Sequence, residues 1–274
     1  MSCACKGIRV CLICEKEKKE LHRPGTDSEN VEYAYCHLCN RAWKNENPYE
    51  VAQNHPNHSG EESLTVDGIM LIPDFVTEAE EQNLTKEIDN IPWIPSQSGR
   101  RKQDFGPKVN FKKKKVKIGS FQGFPHFASF LAKRFEEIPL LRDFVPVELC
   151  NLEYVPERGS SIDRHLDDSW LWGERLVTIN LLSNTVMTLS PVSESSPCSS
   201  IFIPLYRRSL LVLHAEARVR WYHAIHRKHV DSRRLAMTFR ELSKEFLPGG
   251  AEEEMGKLLL SCAIYKNTDF YRIS

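Results

Sequence analysis

Seven short apolar segments separated by turns fill the second half of the chain, and this pattern restricts the fold more than any other feature. The segments are rich in Val, Ile, Leu, Phe and Thr, and Pro, Gly and Ser lie between them. They span residues 147–154, 176–182, 186–189, 200–205, 209–213, 219–223 and 235–239. Many short strands at this spacing are typical of a sandwich or barrel, and a jelly roll manages their edges compactly. We therefore predict a jelly-roll core.

Helices are predicted on both sides of these strands, which makes the fold class α+β. Thr77 and Glu80 form a capping-box pattern for a helix to about residue 91, and further helices are expected over 124–137 and 252–263. The composition divides the chain into a Cys-rich module over 1–45, a polar linker over 46–63, the main domain over 64–250, and a C-terminal helix and tail over 251–274.

Composition and charge are those of a soluble globular protein. The 274 residues suffice for one sizeable domain, and 37 basic residues balance 37 acidic ones. Residues 1–10 lack the apolar core of a secretion signal, and the apolar runs near residues 210 and 258 are too short to span a bilayer. We expect a protein of the cytoplasm and nucleus without membrane association, and the oligomeric state stays open.

The N-terminal cysteines form a pattern that favours zinc. Thiols stay reduced in the expected compartment, so the nine cysteines are not interpreted as disulfides. Two Cys-x-x-Cys pairs, Cys11 with Cys14 and Cys36 with Cys39, are separated by a spacer of zinc-ribbon length. We predict that these four thiolates hold one structural zinc ion. Cys3, Cys5 and His37 are left as alternative ligands or spectators, and free thiols in a flexible tail are the other interpretation.

A His-x-Asp pair, His165 and Asp167, is the first candidate for chemistry. On a strand, residues two positions apart point to one face, so an imidazole and a carboxylate could reach one metal ion. A second histidine would complete the facial triad of non-haem iron(II) oxygenases. An exposed turn is the alternative. We favour His223, at the end of a late strand, as the third ligand over His226 and His229, which lie in a basic turn; His214 is interpreted as structural.

The last predicted strand, residues 234–240, places two arginines on one face. Arg234 and Arg240 alternate with Leu235, Met237 and Phe239, which are expected to face the core. Guanidinium groups inside a barrel need an anionic partner, and a small dicarboxylate would serve both. Surface arginines at the rim are the alternative.

A basic segment over 96–117 is predicted to be a surface loop or hairpin. It is either a solvated face or a substrate lid that attracts phosphate or an acidic protein surface. We expect its Arg100, Arg101 and Lys102 to contact substrate. Trp170 and Trp172, next to the His-x-Asp pair, could sandwich a base or cage a methylammonium group.

These motifs resemble those of the AlkB-type iron(II) and 2-oxoglutarate dioxygenases over most of residues 64–247. The resemblance rests on His165-x-Asp167, on Trp-Tyr-His223-Ala-Ile and on Arg234-x5-Arg240. Local blocks that point to one animal branch of the family are Cys-x-Cys-Lys-Gly-Ile-Arg, Ser-Gln-Ser-Gly-Arg-Arg-Lys-Gln-Asp and His-Leu-Asp-Asp-x-Trp-Leu-Trp-Gly-Glu-Arg-Leu-Val.

The resemblance implies a double-stranded β-helix with iron(II) on His165, Asp167 and His223. It also implies that Arg234 binds the distal carboxylate of 2-oxoglutarate, with Arg240 near the metal end. Tyr154 matches the family's cofactor-contacting tyrosine. Asn151 is a weaker match, because it stands three residues before Tyr154 and not two, and Leu152 occupies the family's position.

The implied reaction consumes O2 and 2-oxoglutarate, yields succinate, and oxidises an N-methyl group that leaves as formaldehyde. The branch is associated with monomethyl-lysine on actin and with N6-methyladenine in DNA, and we predict the protein substrate first and DNA second. The alternative from another class is an idle scaffold that binds partners through the cysteine module and the basic loop. The intact set of ligands argues against it.

Overall fold

The computed structural model of the protein describes residues 5, 11–17, 32–44, 46–58, 62–193 and 200–266. These residues include five α-helices, most of them short. The helices are α1 (Leu12–Glu17), α2 (Glu78–Asp89), α3 (Ser129–Glu136), α4 (Ala215–Val219) and α5 (Glu253–Cys262). Within the described residues, the helices are too short or too polar to cross a membrane.

Strands make up most of the structure. In chain order they are β1 (Glu32–Cys36), β2 (Arg41–Lys44), β3 (Ser63–Leu64), β4 (Ile69–Ile72), β5 (Ile94–Pro95), β6 (Arg101–Phe105), β7 (Lys108–Asn110), β8 (Lys115–Lys117), β9 (Phe124–Pro125), β10 (Pro146–Tyr154), β11 (Ile162–His165), β12 (Trp172–Leu181), β13 (Thr185–Pro191), β14 (Ser200–Leu205), β15 (Ser209–Leu213), β16 (Trp221–Ile225), β17 (Arg234–Leu242) and β18 (Tyr265–Lys266).

Two seven-stranded sheets form the framework. The first has the strand order β4-β15-β12-β17-β10-β6-β5, and the second has the order β11-β16-β13-β14-β1-β2-β3. Strands β7 and β8 form a separate hairpin, and β9 pairs with β18. The N-terminal strand β1 joins the second sheet by parallel pairing with β14. The mainly antiparallel, two-sheet arrangement fits the predicted jelly-roll-like core.

The first sheet lies between two apolar clusters. On one side Leu235, Met237 and Phe239 of β17 pack with α2 and α3, and this cluster includes Leu84 and Phe135. On the other side a second cluster combines residues of both sheets, such as Ala236 of β17 and Leu211 of β15 from the first sheet and Leu189 of β13 from the second. The alternation predicted for residues 234–240 is therefore confirmed for the apolar face.

Local signals account well for the helices. α2 begins after Thr77, whose side chain accepts a hydrogen bond from Glu80 N at 3.2 Å, while Glu80 Oε2 accepts one from Thr77 N at 2.8 Å. This confirms the predicted capping box. The helix expected over 124–137 is shorter, because residues 124–125 form β9 and residues 126–128 a 3-10 turn before α3.

The basic segment differs from its prediction in its first half. Arg101–Phe105 is not a surface loop but strand β6, which pairs with β10 and buries Gln103 and Phe105. The second half is the predicted hairpin, with exposed lysines on β7, β8 and the turn between them. Four of the five residues of β6 are polar or charged, so the composition indicated a surface loop where the structure has a sheet strand.

Candidate active site

The structure brings His165, Asp167 and His223 into one group, in which the ligand atoms lie within 4.8 Å of one another. His165 ends β11 and stands directly opposite His223 in the antiparallel pair of β11 with β16. Their ring centroids are 4.2 Å apart. Asp167 follows two residues after His165 and completes the group. His226, the competing candidate, is exposed at the start of the next turn.

Contacts to backbone carbonyls hold the His165 ring and the main chain at Asp167. His165 Nδ1 lies 2.8 Å from Asp163 O, an arrangement that orients the ring and leaves Nε2 for a ligand bond. Arg218, only 3% exposed, donates from Nη1 to Asp167 O at 2.9 Å. Asp168 Oδ1 accepts a hydrogen bond from Trp170 N at 2.9 Å, so Asp168 shapes the turn, as expected for a flanking carboxylate.

The protonation states suit metal binding. Burial lowers the pKa of His165, and it lowers the pKa of His223 to about 3, so both imidazoles are neutral at pH 7. Burial alone would raise the pKa of Asp167, but the charge and hydrogen bonds of Arg240 outweigh it and hold the pKa well below its usual range. Neutral imidazole and ionised carboxylate are the forms that bind a metal.

Arg240 connects this group to a second carboxylate. Its Nη2 and Nε lie 3.2 Å from the two Asp167 carboxylate oxygens, and its Nη1 contacts Glu148. Burial opposes the charge of Arg240, but Asp167 and Glu148 raise its pKa above the usual value. The guanidinium lies over the Trp172 ring, and Arg240 Cζ is 5.7 Å from the centroid of that ring. Arg240 therefore orients Asp167 and stays charged beside the metal group.

Arg234 offers an incompletely used guanidinium. It is 2% exposed, its Nε donates to Asn180 Oδ1 at 2.6 Å, and its Cζ lies 4.7 Å from the Tyr154 ring centroid. Among the described residues, nothing accepts a hydrogen bond from its buried Nη1. Burial lowers the pKa of Arg234, so the charged group is costly without an anion. A carboxylate is the natural partner.

One cavity joins these parts. Tyr154, His165, Asp167, His223, Arg234 and Arg240 all line it, and the rest of its wall is mainly aliphatic. Thr178 and Thr238, whose hydroxyls are 3.5 Å apart, add polar atoms between the two arginines. The donor set suits iron(II), and the charged nitrogen of Arg234 suits the far carboxylate of a dicarboxylic acid.

Asn151, the weaker of the predicted cofactor contacts, lies outside the cavity lining. Asn151 points to the opposite face of β10 from Tyr154 and donates to Gln103 Oε1 at 2.9 Å, because residues three apart on a strand face opposite sides. Its role is structural. Asn180 binds Arg234 instead, and a lone asparagine within the apolar segment 176–182 was the signal for it.

The two tryptophans pack as core residues. Trp172 is 4% exposed and shares an apolar cluster with Leu171 and Leu242, and Trp170 packs on Phe246 at 5.2 Å between ring centroids. The structure therefore places Trp172 beneath Arg240, and the two rings do not form the predicted cage or sandwich. These contacts indicate that the two tryptophans support the Arg240 side of the site.

The basic residues of β6 use their charges internally. Arg101 makes a two-point ion pair with Glu153, at 2.5 and 2.7 Å, and Lys102 pairs with Asp104. Arg100 is 6% exposed, and its Cζ lies 5.9 Å from the Tyr154 ring centroid. Arg100 thus covers one edge of the site, while Arg101 and Lys102 are committed to neighbouring carboxylates.

The thiols predicted to form one zinc site are divided in the structure. Cys11 and Cys14 group with Cys5, whereas Cys36 and Cys39 group with His55 and His58. The reason is that β1 hydrogen-bonds to the second sheet and directs its turn towards residues 46–58. Cys3 lies outside the described residues. Zinc binding itself stays a prediction.

A two-histidine, one-carboxylate group beside a buried arginine whose Nη1 has no acceptor among the described residues defines the class: an iron-dependent oxygenase with a carboxylic acid as cosubstrate. The chain is 44% identical to alpha-ketoglutarate-dependent dioxygenase alkB homolog 4 of Mus musculus and 43% identical to that of Homo sapiens. The alignments cover 96% of this chain and 94% and 93% of the relatives. The chain therefore belongs to the AlkB-type alpha-ketoglutarate-dependent dioxygenases, in the group of alkB homolog 4.

Other comparisons add detail. A Caenorhabditis elegans protein named DNA N6-methyl adenine demethylase is 38% identical over 91% of this chain and 89% of its own length. Among solved structures, the structure of OsALKBH1 aligns with 65% of this chain and over 100% of its own length, at 11% identity and a TM-score of 0.48. No protein-family model matches the chain.

Proposed function

We propose that this protein is an oxidative N-demethylase, built on a double-stranded β-helix, that acts on monomethyl-lysine of a protein such as actin. The observation that carries the enzyme part is the group of His165, Asp167 and His223 beside Arg234 in one cavity. When bound, iron(II) and 2-oxoglutarate supply the oxidising chemistry with O2, and formaldehyde is the carbon product.

The chain's own residues hold and orient these partners. His165, Asp167 and His223 would bind the iron, and Arg234 Nη1 would bind the distal carboxylate of 2-oxoglutarate. Arg240 keeps Asp167 ionised and correctly turned through its two 3.2 Å contacts. Aliphatic side chains, among them Leu176, exclude water from the rest of the cavity.

Two observations favour a slender alkylamine over a flipped base. Enzymes that act on a flipped base commonly stack it on aromatic side chains. Among the described residues that line the cavity, Tyr154 alone has a Phe, Tyr or Trp ring, and Arg234 and Arg100 already flank that ring. In addition, the charges of Arg101 and Lys102 are paired with carboxylates, so they are poorly placed for DNA phosphates.

The basic hairpin of β7 and β8 makes the surface near the site positively charged. Lysines at positions 108, 112, 113, 114, 115 and 117 are exposed on β7, β8 and their turn. The ring centroids of Phe111, in this turn, and Trp172 are 6.4 Å apart. Because Trp172 lies against Arg240, the hairpin is close to the metal group. We propose that it attracts an acidic protein surface around the methylated lysine.

DNA is the second candidate substrate. The name of the Caenorhabditis elegans relative favours N6-methyladenine, and the same lysines would attract phosphate. Removal of the methyl group would follow the same oxidation in either case.

Side-by-side turnover separates these possibilities. Succinate and formaldehyde are measured with a monomethyl-lysine actin peptide, with an oligonucleotide containing N6-methyladenine, and with unmethylated controls of both. We expect formaldehyde to match succinate for the methylated peptide, and His165→Ala to abolish both products. Formaldehyde from the oligonucleotide alone would refute the lysine proposal, and no substrate-stimulated succinate with either would refute the demethylase.

A charge-reversal variant tests the hairpin. Replacing Lys112, Lys113 and Lys114 with Glu should raise the KM for the actin peptide and leave substrate-free succinate formation unchanged, since these side chains are exposed and lie outside the cavity. The matched control replaces Lys257, an exposed lysine on α5. Equal KM values for both variants would contradict a role for the hairpin.

A further inference from the structure

Four potential metal ligands outside the active site converge near the N-terminus. They are Cys36 and Cys39 from the hairpin of β1 and β2, and His55 and His58 from the segment that follows it, and their ligand atoms lie within 4.8 Å of one another. We propose that these residues bind one structural zinc ion. The sequence pattern is Cys-x2-Cys, fifteen residues, then His-x2-His.

The hairpin turn presents both sulfurs to one point. Cys36 is the last residue of β1, and Asn40 takes a left-handed conformation, with φ of 56°, that lets the chain return into β2. Backbone N–H groups of Leu38 and Cys39 donate to the Cys36 sulfur. Trp43 Nε1 donates to Cys39 Sγ at 3.4 Å. Donors aimed at sulfur stabilise the thiolate, which is the form that binds zinc.

The histidine half carries its own supporting residue. His58 Nε2 lies 3.7 Å from Cys39 Sγ, and its other nitrogen, Nδ1, lies 3.8 Å from Glu46 Oε1. The side chains of His58 and Glu46 are 1% and 2% exposed. At 3.8 Å the Glu46 carboxylate makes no hydrogen bond to His58 Nδ1, which has no hydrogen-bond partner among the described residues, but its charge favours a proton on Nδ1 and leaves Nε2 for a metal. The Trp43 ring stacks on His58 at 4.3 Å and holds its orientation.

A zinc ion would serve a structural purpose at this place. Among the described residues, the apolar cluster around the hairpin has three buried members, Ala34, Cys36 and Val51, with Cys39, Trp43 and Ala52 packed against them. So small a cluster stabilises little by itself. Two sulfurs and two nitrogens fill a tetrahedral shell, so such a site is closed to substrate.

The position in the sheet gives the site its consequence. β1 extends the second sheet beyond β14, and the same sheet carries His165 and His223 on β11 and β16. The zinc would therefore fix the far edge of the sheet that holds two of the three iron ligands. The metal would take no part in the oxidation.

Metal analysis of the full chain tests the assignment. A chain with Cys11→Ser, Cys14→Ser and His165→Ala lacks the other two candidate groups, and we expect it to retain one equivalent of zinc. X-ray absorption should show two sulfurs at about 2.3 Å and two nitrogens at about 2.0 Å. Adding Cys39→Ser and His58→Ala should remove the zinc. Absence of zinc before these two changes, its retention after them, or a shell without sulfur would overturn the proposal.

A second measurement on the unmutated chain covers the case in which a variant fails to fold. Cys39 and Cys262 are both half-buried thiols, but Cys262 belongs to none of the candidate metal-ligand groups found among the described residues. Chelation should increase alkylation of Cys39 several-fold and leave Cys262 unchanged, as peptide mass spectrometry would report. Equal labelling of Cys39 with and without chelator would overturn the zinc site.

Discussion

Substitution of Arg234 should separate cosubstrate binding from metal binding. Arg234 lines the cavity with its guanidinium 2% exposed; Asn180 accepts from its Nε at 2.6 Å, and its Nη1 has no acceptor among the described residues. A bound carboxylate would accept a charge-assisted hydrogen bond from Nη1. Arg234→Gln removes the charge while keeping a polar side chain of moderate size.

The size of the effect follows from the burial of the pair. Removing one partner of a buried, hydrogen-bonded charge pair costs about 2–5 kcal/mol, which corresponds to roughly 30-fold to 4,000-fold weaker binding of 2-oxoglutarate. Arg234→Lys keeps the charge but loses the planar fork, so it should lose about 1.5–3 kcal/mol, or roughly 10-fold to 150-fold.

Calorimetry on the chain loaded with Mn²⁺, which does not turn over, would measure both affinities. We expect a weaker affinity for 2-oxoglutarate and an unchanged affinity for the metal, because the three ligand side chains are intact. Arg142→Ala, at an exposed arginine, is the matched control and should change neither. An Arg234→Gln chain that binds 2-oxoglutarate within about threefold of the unmutated chain would refute the assignment of the distal carboxylate.

Three further perturbations test other parts of the structure. His223→Ala should lose bound iron and turnover while His226→Ala keeps both, and equal iron content in the two would contradict the ligand set. Glu153, whose side chain is 2% exposed among three arginines, has its pKa held at about 2 although burial opposes this. Its stabilising effect is complete above the unfolded pKa of about 4.3 and is lost as the pH falls from there towards 2. Glu153→Gln should therefore lower the free energy of unfolding at pH 7 by about 3 kcal/mol and flatten its acid dependence in urea titrations; parallel curves would refute this. Gly68→Ala should lower the melting temperature more than Gly249→Ala does. At Gly68 φ is 95° and the new Cβ would lie 1.8 Å from His214 O, whereas at Gly249 φ is 87° but no atom lies within 4 Å.

The strands and helices that depend on local pattern were predictable. Alternation along residues 234–240 separates the faces of β17 correctly, and the capping box places the start of α2. Val219 is an exception, because it ends α4 and the strand begins only at Trp221. A strand at His165 was expected for the His-x-Asp pair, and β11 ends at that residue. The sheet membership of β6 escaped notice, since a basic strand gains its stability from its neighbours and shows little apolar periodicity of its own.

Which residues meet across the fold was not predictable from spacing alone. His165 and Asp167 are close because they are two residues apart, but His223 joins them because β11 pairs with β16 in one register. A shift of one residue would turn His223 to the other face. Asn180 and Glu148 likewise reach the arginines of β17 only through strand pairing.

The cysteines show most clearly what the sequence determines and what the tertiary structure determines. The sequence by itself determined the ligand chemistry: two Cys-x2-Cys pairs, a His-x-Asp pair and two arginines on one strand face, each set by covalent distance along the chain. Only the tertiary structure decided the partners, because the pairing of β1 with β14 carries Cys36 and Cys39 away from Cys11 and Cys14 and beside His55 and His58. The physical reason is that a strand's hydrogen-bond register, and not its sequence neighbours, fixes what lies across from each side chain.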